Sequence, residues 1–445
     1  MTSGLDSTTA PEYWPAPVSP GSIDAVIRVP GSKSLTNRAL VLAALSDGPS
    51  TVTNALRSRD SLLMIQALRT LGVDIEEVGA STGGLTLAVT PHFFGAQEPL
   101  AIDVGLAGTV MRFLPPVTGL AQCQVTFDGD RAARRRPMAT LIEAMRDVGI
   151  EVDDAGTGKL PILVHGRGRI PGGEVVLDAS RSSQFVTALL MSAPRFEAGA
   201  TIHHVGPAIP STPHIDMTIR MLAEHGVRVR ETQDPPVGDH SRFTWHVDPH
   251  ELQSHDWTIE PDISNALPFI AAAMVTAGRI VIADWPRTSL QPADRVLEVL
   301  TAFGATIEYR PDGLIVSAPE NLAGIDIDMS DIGETAPSIA AIACFAEQPS
   351  VLRGIGHIRG HETDRLAALE REINKLGGAA TQTDDGLRVE PAALKAGKFA
   401  TYEDHRMATT AAIIGLRVPG VEIENIETTA KTIPDFTGLW TSIVA

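Results

Sequence analysis

The chain has 445 residues, 43% of them hydrophobic and 20% charged, a balance that excludes disorder as the main state and leaves room for two or more domains. Lys and Arg total 36 against 54 Asp and Glu, a formal net charge of -18. Most of the surface therefore opposes nucleic acid or an anionic membrane, and any anionic ligand must meet a local concentration of cations.

Two cysteines, Cys123 and Cys344, with no C-x-x-C make neither a disulfide framework nor a zinc site, and fit a reducing cytosol. The first twenty residues (MTSGLDSTTAPEYWPAPVSP) lack a basic start and an apolar stretch, and predict a flexible tail over 1–20 rather than a secretory signal. One of the longest apolar runs, Ile339 to Ala346, falls far short of the roughly 20 residues a membrane-spanning helix needs. A cytoplasmic protein, off the membrane, is expected.

From residue 30 onward two phrases alternate. One is an amphipathic stretch that closes on Leu-Gly-Val or a near equivalent and runs into alternating, strand-like residues. Its copies are SLLMIQALRTLGVDIE, MATLIEAMRDVGIEVD, MTIRMLAEHGVRVR, RVLEVLTAFGATIE and LAALEREINKLGGAATQ, with glycines at Gly72, Gly149, Gly226, Gly304 and Gly377, spaced by 77, 77, 78 and 73 residues. Glycine just past an amphipathic run stops a helix, and the alternation after it suits a half-buried strand.

The other phrase is a polar cluster opening a helix of small apolar residues: GSKSLTNRALVLAAL, LAGTVMRFLPPVTGL, SRSSQFVTALLMSAP, PDISNALPFIAAAMV, IGETAPSIAAIACFA and YEDHRMATTAAIIGL. Such helices are apolar around most of their circumference, so they are predicted to be buried with only their first turns at a surface. Capping accounts for Ser, Asp and Asn there. Lys and Arg in a first turn oppose the helix dipole, a cost that an anion bound between them would offset. Six repeats in this length predict an α/β fold of two lobes, three repeats each, with helix N-termini facing an interlobe cleft.

In chain order, PGSKSLTNRA sets Lys33 at a helix entrance with Ser34 and Arg38 one turn apart behind it, the build of a phosphate cradle. It is not a Walker loop, and GTGKL at 156–160 lacks the hydroxyl and the earlier glycine of one. LAGTVMR puts Thr109 and Arg112 on one helix face, with Gly108 open to close approach by a ligand. DGDRAARRRP carries Arg131, Arg134, Arg135 and Arg136, a solvated loop or a clamp over an anion; Arg136, before Pro137, is the one placed to be fixed. Ser182, Ser183 and Gln184 offer two hydroxyls and an amide at a helix start, for capping or for a hydroxylated or phosphorylated small molecule. RGHETDR places His361 and Arg365 one turn apart on an expected helix with Glu362 beside them, and YEDHRMA and AKTIPDF add Arg406 and Lys431. His361 and His405 lack a metal-binding partner spacing.

Taken together, GSKSLTNRA, LAGTVMR, RSSQFVTALL, HETDRL, EDHRMA and AKTIPDF resemble the 5-enolpyruvylshikimate-3-phosphate synthases, from about Pro30 to the C-terminus. The resemblance implies a two-lobed, inside-out α/β barrel of six βαβαββ units, three per lobe about a pseudo-threefold axis. The central lobe would span 32–256, and 21–31 would join 257–445 in the second. It implies transfer of the carboxyvinyl group of phosphoenolpyruvate to the 5-hydroxyl of shikimate 3-phosphate through a tetrahedral intermediate, in aromatic amino-acid and chorismate biosynthesis. No metal or organic cofactor is implied, and a monomer acting on small molecules is expected.

Carried over position by position, Lys33, Ser34, Arg38, Ser182, Ser183, Gln184, Ser211 and His361 resemble the shikimate-phosphate contacts. Lys33, Gly108, Arg136, Gln184, Arg365, Arg406 and Lys431 resemble those to phosphoenolpyruvate. Glu334 stands at the position of the catalytic carboxylate that takes the 5-hydroxyl proton, and Glu362 resembles the acid that protonates the methylene carbon. His361, His357 and His214 stand where many members carry Lys, Asn and Tyr. A cationic requirement at His361 would make binding fall as pH rises through its pKa. Leu106 and Phe113, near Gly108, depart from the frequent Asn and Pro, which bears on response to glyphosate, the inhibitor of the phosphoenolpyruvate site.

Three other readings stand beside this one. A UDP-N-acetylglucosamine enolpyruvyl transferase typically carries a reactive cysteine on a mobile loop, whereas Cys123 and Cys344 read as buried. A nucleic-acid module would use Arg131 to Arg136, against the charge of -18 and an aromatic content of 4%. A non-catalytic metabolite-binding relative would not need both Glu334 and Glu362.

Overall fold

The computed structural model describes residues 12–81, 84–92, 98–237 and 240–444. Its recurring unit is plainest over 100–165: strand Leu100–Asp103, helix Gly108–Thr118, strand Gln124–Asp128, helix Ala139–Asp147, then strands Glu151–Asp153 and Ile162–His165. The first two strands, joined by a helical crossover, pair in parallel, and the rest pair antiparallel. Among the described residues there are five four-stranded sheets with this pairing and one three-stranded sheet, Gly397–Phe399 parallel to Val421–Glu424 and that antiparallel to Tyr13–Pro15, which lacks the fourth strand.

The two sequence phrases divide the helices by burial. The amphipathic helices lie over the sheets and stop at the expected glycines, where Gly72, Gly149, Gly226, Gly304 and Gly377 take φ of 97°, 89°, 80°, 103° and 85°, a left-handed conformation that costs glycine least. The apolar helices lie inside. Helices Lys33–Leu45, Gly108–Thr118 and Gln184–Ser192 pack together, as do Ile263–Val275, Ala336–Ala343 and His405–Gly415. Two separate apolar cores result. The first draws on residues from Leu35 to Ile259, the second on Ala16 to Val29 together with Ile263 to Ile443.

The chain crosses between the cores twice, side by side. Gly31 and Pro261 face each other in an antiparallel bridge, with Ser32 N–H donating to Glu260 O at 2.8 Å and Asp262 N–H to Pro30 O at 3.0 Å. Glycine is required at 31 because a Cβ there would lie 2.1 Å from the Asn54 carbonyl oxygen. Each crossing completes a sheet with a distant strand: Trp257–Thr258 lies parallel to Ser50–Ala55, and Asp24–Ile27 parallel to Arg279–Ala283.

The expected tail needs correction from Glu12 onward, while residues 1–11 of it lie outside the described residues. Tyr13–Pro15 pairs antiparallel with Val421–Glu424, and Ala16 is buried in the second core. The physical reason is a sheet edge: this strand covers main-chain groups of Val421–Glu424 that would otherwise face solvent. Among the described residues no helix is long and apolar enough to cross a membrane.

Candidate active site

The six buried helices begin at one place. Ser32 and Lys33, Gly108 and Thr109, and Ser183 and Gln184 come from the first core; Asp262 to Asn265, Glu334, and His405 and Arg406 come from the second, and all line a single cavity. Every site residue named from the sequence lines it too: Lys33, Ser34, Arg38, Gly108, Arg136, Ser182, Ser183, Gln184, Ser211, Glu334, His361, Glu362, Arg365, Arg406 and Lys431. Among the described residues the lining holds eight Lys and Arg against four carboxylates, the reverse of the chain's overall balance.

The cations differ in how they are held. Arg38 is 2% exposed and spends its N–H groups on neutral acceptors, Thr218 Oγ1 at 2.8 Å, Ser34 O at 2.9 Å and His214 O at 3.2 Å, with its guanidinium over the Phe113 ring. Burial without an acidic partner lowers its pKa to about 9, an unmet demand for an anion. Arg112 is similar. Its Nη1 reaches Gln184 Oε1 at 2.5 Å while Nε is buried without a partner, and burial followed by the charge of Arg136 holds its pKa well below the usual value. The guanidinium groups of Arg136 and Arg406, from opposite cores, have no hydrogen-bond partner among the described residues.

Arg365 is the opposite case. It is 1% exposed and donates to Asp404 at 2.7 and 3.1 Å, to Glu362 at 2.9 Å and to His361 Nδ1 at 3.0 Å. Burial pulls its pKa down, but Asp404 and Glu362 outweigh this and raise it. Lys33 reaches Asp60 Oδ2 at 3.2 Å, and Lys431 reaches Glu362 Oε1 at 2.5 Å.

Both candidate carboxylates are held below the ordinary carboxylate range. Burial alone would raise Glu334, but the hydrogen bond from His214, then attraction to His214 and Arg406, hold it far below the ordinary range. Burial would also raise Glu362; Lys431 and Arg365 overcome it. His361 is neutral: burial, then the adjacent Arg365, push its pKa well below the usual value, and its Nδ1 accepts the Arg365 hydrogen bond. His361 also precedes its helix rather than sitting on it, because Asp364 caps the helix that starts at Arg365.

Local geometry separates capping from availability. Ser32 caps its helix, whereas Ser183 occupies the cap position and makes no side-chain capping bond. In the arginine loop, Arg134 pairs with Asp128 at the surface, and of Arg131, Arg134, Arg135 and Arg136 only Arg136 lines the cavity. Both cysteines are buried away from the cavity with thiols pushed up by desolvation, Cys344 to about 12, so neither supplies a reactive thiol. Asp60 and Asp262, which no sequence motif singled out, and His405, read there only against metal ligation, also line the cavity, as does Arg112. Asp262 and Asp404 precede repeated helices and cap them, a spacing signal that was there to use.

Fold and cavity define an enzyme that surrounds small polyanions with basic side chains from two α/β cores. The family model described as EPSP synthase (3-phosphoshikimate 1-carboxyvinyltransferase) matches residues 18–440, and the chain belongs to that family. A 3-phosphoshikimate 1-carboxyvinyltransferase of Kocuria rhizophila is 48% identical over 449 residues, covering 100% of this chain and 99% of that one; one of Mycobacterium ulcerans is 47% identical, covering 97% and 98%. An EPSP synthase structure from Acinetobacter baumannii superposes with TM-score 0.78 at 25% identity, covering 97% of this chain and 98% of that one. The enolpyruvyl transferase NikO of Streptomyces tendae shares the fold, with TM-score 0.68 at 17% identity and 96% coverage of each chain. The enzyme transfers the carboxyvinyl group of phosphoenolpyruvate to the 5-hydroxyl of shikimate 3-phosphate, a step of aromatic amino-acid biosynthesis.

Proposed function

We propose that shikimate 3-phosphate lies against Lys33, Ser34, Arg38, Ser182, Ser183, Gln184, Ser211 and His361, and phosphoenolpyruvate among Lys33, Gly108, Arg136, Gln184, Arg365, Arg406 and Lys431. The observation that carries this reading is that the guanidinium groups of Arg136 and Arg406, which make no side-chain hydrogen bond among the described residues, line one cavity from two cores. Anions of about two charges per phosphate satisfy them.

Glu334 takes the proton of the 5-hydroxyl as its oxygen attacks C2 of phosphoenolpyruvate. Glu362 gives a proton to C3, and a tetrahedral ketal forms. The new methyl group then returns its proton to Glu362, the C2–O bond to phosphate breaks with the Glu334 proton passing to the leaving phosphate oxygen, and the C2=C3 double bond reforms as the enol ether. Glu362 is too acidic to hold a proton while Lys431 and Arg365 face it alone. A substrate carboxylate or phosphate placed on the same cations weakens that attraction and raises the pKa of Glu362, so this group takes up the proton it donates only when substrate is bound. Lys33, between the two ligands, steadies the charge that moves to the departing phosphate.

In the same reading, 32–256 and 21–31 with 257–445 act as two lobes that shut on the ligands. The separate cores and the paired crossing at Gly31 and Pro261 support it, and the burial of Trp257 and Ile259 in the first core favours a boundary nearer 261. A site complete within one chain supports a monomer, and two unpaired cysteines support a cytoplasmic setting.

The test is a phosphate-release assay with phosphoenolpyruvate, comparing shikimate 3-phosphate and UDP-N-acetylglucosamine as acceptors. Release with the first alone is expected, and E334Q should lower kcat by about 100-fold or more. An undiminished E334Q rate contradicts the assignment of the base.

A further inference from the structure

Residues 211–214 and 330–334 are stitched together across the two cores. Ser211 N–H donates to Ser330 O at 3.0 Å, Thr212 Oγ1 to Asp331 Oδ1 at 3.3 Å, and His214 Nε2 meets Glu334 Oε1 at 3.3 Å. His214 lies in the first turn of helix Pro213–Glu224, whose Ile215, Met217 and Leu222 are in the first core; Ile332 and Ala336, beside Glu334, are in the second. The His214 carbonyl accepts from Arg38 at 3.2 Å and from Thr218 at 2.9 Å, so the backbone that carries this imidazole is fixed independently of its ring. The ring's Nδ1 is buried without a hydrogen-bond partner among the described residues.

We propose that His214 is a positioning residue for the catalytic base: its imidazole holds one oxygen of Glu334 from the opposite core, so the base is correctly aimed only where the two cores meet. The inference rests on the reading of Glu334 as that base. An ionised carboxylate accepts, so Nε2 carries the hydrogen and donates. With Oε1 engaged, Oε2 is left for the substrate hydroxyl. A single held oxygen fixes the carboxylate plane, and proton transfer depends on that alignment.

Glu334 is faced by His214 from its helix, Arg406 from helix His405–Gly415, His357 from the turn Gly356–Gly360 and Arg365 from helix Arg365–Lys375. Burial works to raise its pKa, and His214 and Arg406 lead the groups that lower it. Loss of His214 leaves burial opposed chiefly by arginine, and the pKa of Glu334 moves up. The acid limb of kcat, which reports the bound complex, moves to higher pH with it.

The experiment measures kcat and both KM values against pH at saturating partner substrate for H214L, H214Q, H214N and E334Q. H214L should lose about 10- to 100-fold in kcat, the loss expected for one hydrogen bond to an ionised group. The KM for shikimate 3-phosphate should stay within about threefold, and the acid limb should shift upward. H214Q, whose terminal amide reaches the place of Nε2, should recover most of kcat, while H214N, too short, should not. That polar pair gives the same test should H214L fold poorly. An inactive E334Q with a wild-type kcat and acid limb in H214L, or with H214N matching H214Q, overturns the inference alone. So does a loss confined to the KM for shikimate 3-phosphate. A fully active E334Q overturns the base assignment and this inference with it.

Discussion

At the scale of single residues, the cavity is organised by which charges already have partners. Arg365 is neutralised by Asp404 and Glu362, whereas among the described residues Arg136 and Arg406 have no salt bridge or side-chain hydrogen bond, and in the proposed reading the substrate anions are drawn to the latter two. Gly108 keeps this arrangement open: a Cβ there would lie 3.0 and 3.2 Å from the two terminal nitrogens of Arg136. G108A should therefore push that guanidinium aside, raising the KM for phosphoenolpyruvate by about tenfold, a loss near 1.4 kcal/mol. The KM for shikimate 3-phosphate should stay within about twofold; equal losses in steady-state kinetics would contradict the placement. Lys33, Arg38 and Arg406 were legible in the sequence because cations are unexpected at helix starts. The partners Asp60 and Asp404 were not, since they lie 27 and 39 residues from Lys33 and Arg365 with no periodicity to connect them. The neutral ring of His361 follows from burial beside Arg365, which no local motif encodes.

Among the elements, the six buried helices were legible as a repeated phrase because a wholly apolar helix has few places to go but inside. Their ends were harder to place. In RGHETDR the helix starts at Arg365, since Asp364 accepts from Ala367 N–H at 3.1 Å, and His361 is left in the preceding turn. The strand Tyr13–Pro15 was missed because three residues with two aromatic rings and a proline carry no alternation to read. Asp404 joins element to site: it caps helix His405–Gly415 through Arg406 N–H at 2.8 Å and takes two hydrogen bonds from Arg365 while wholly buried. D404N keeps the cap oxygen but removes the charge, leaving Arg365 buried with less compensation. It should cost about 3 kcal/mol of unfolding free energy in urea titration. A change under about 0.5 kcal/mol would mean the pair adds little to stability.

For the whole molecule, a chain of net charge -18 holds a cavity rich in cations, and two cores divide the provision of them. The division itself was foreshadowed by six repeats, and the family resemblance alone assigned 21–31 to the second lobe; local pattern could not show the strand exchange, because Asp24–Ile27 and Trp257–Thr258 pair with segments about two hundred residues or more away. If arginines rooted in separate cores act on one ligand, removal of either must weaken its binding. The phosphate-release KM for phosphoenolpyruvate in R136L and R406L, with shikimate 3-phosphate saturating, should rise by about tenfold or more in each variant. A KM within twofold of wild type in either one would contradict it.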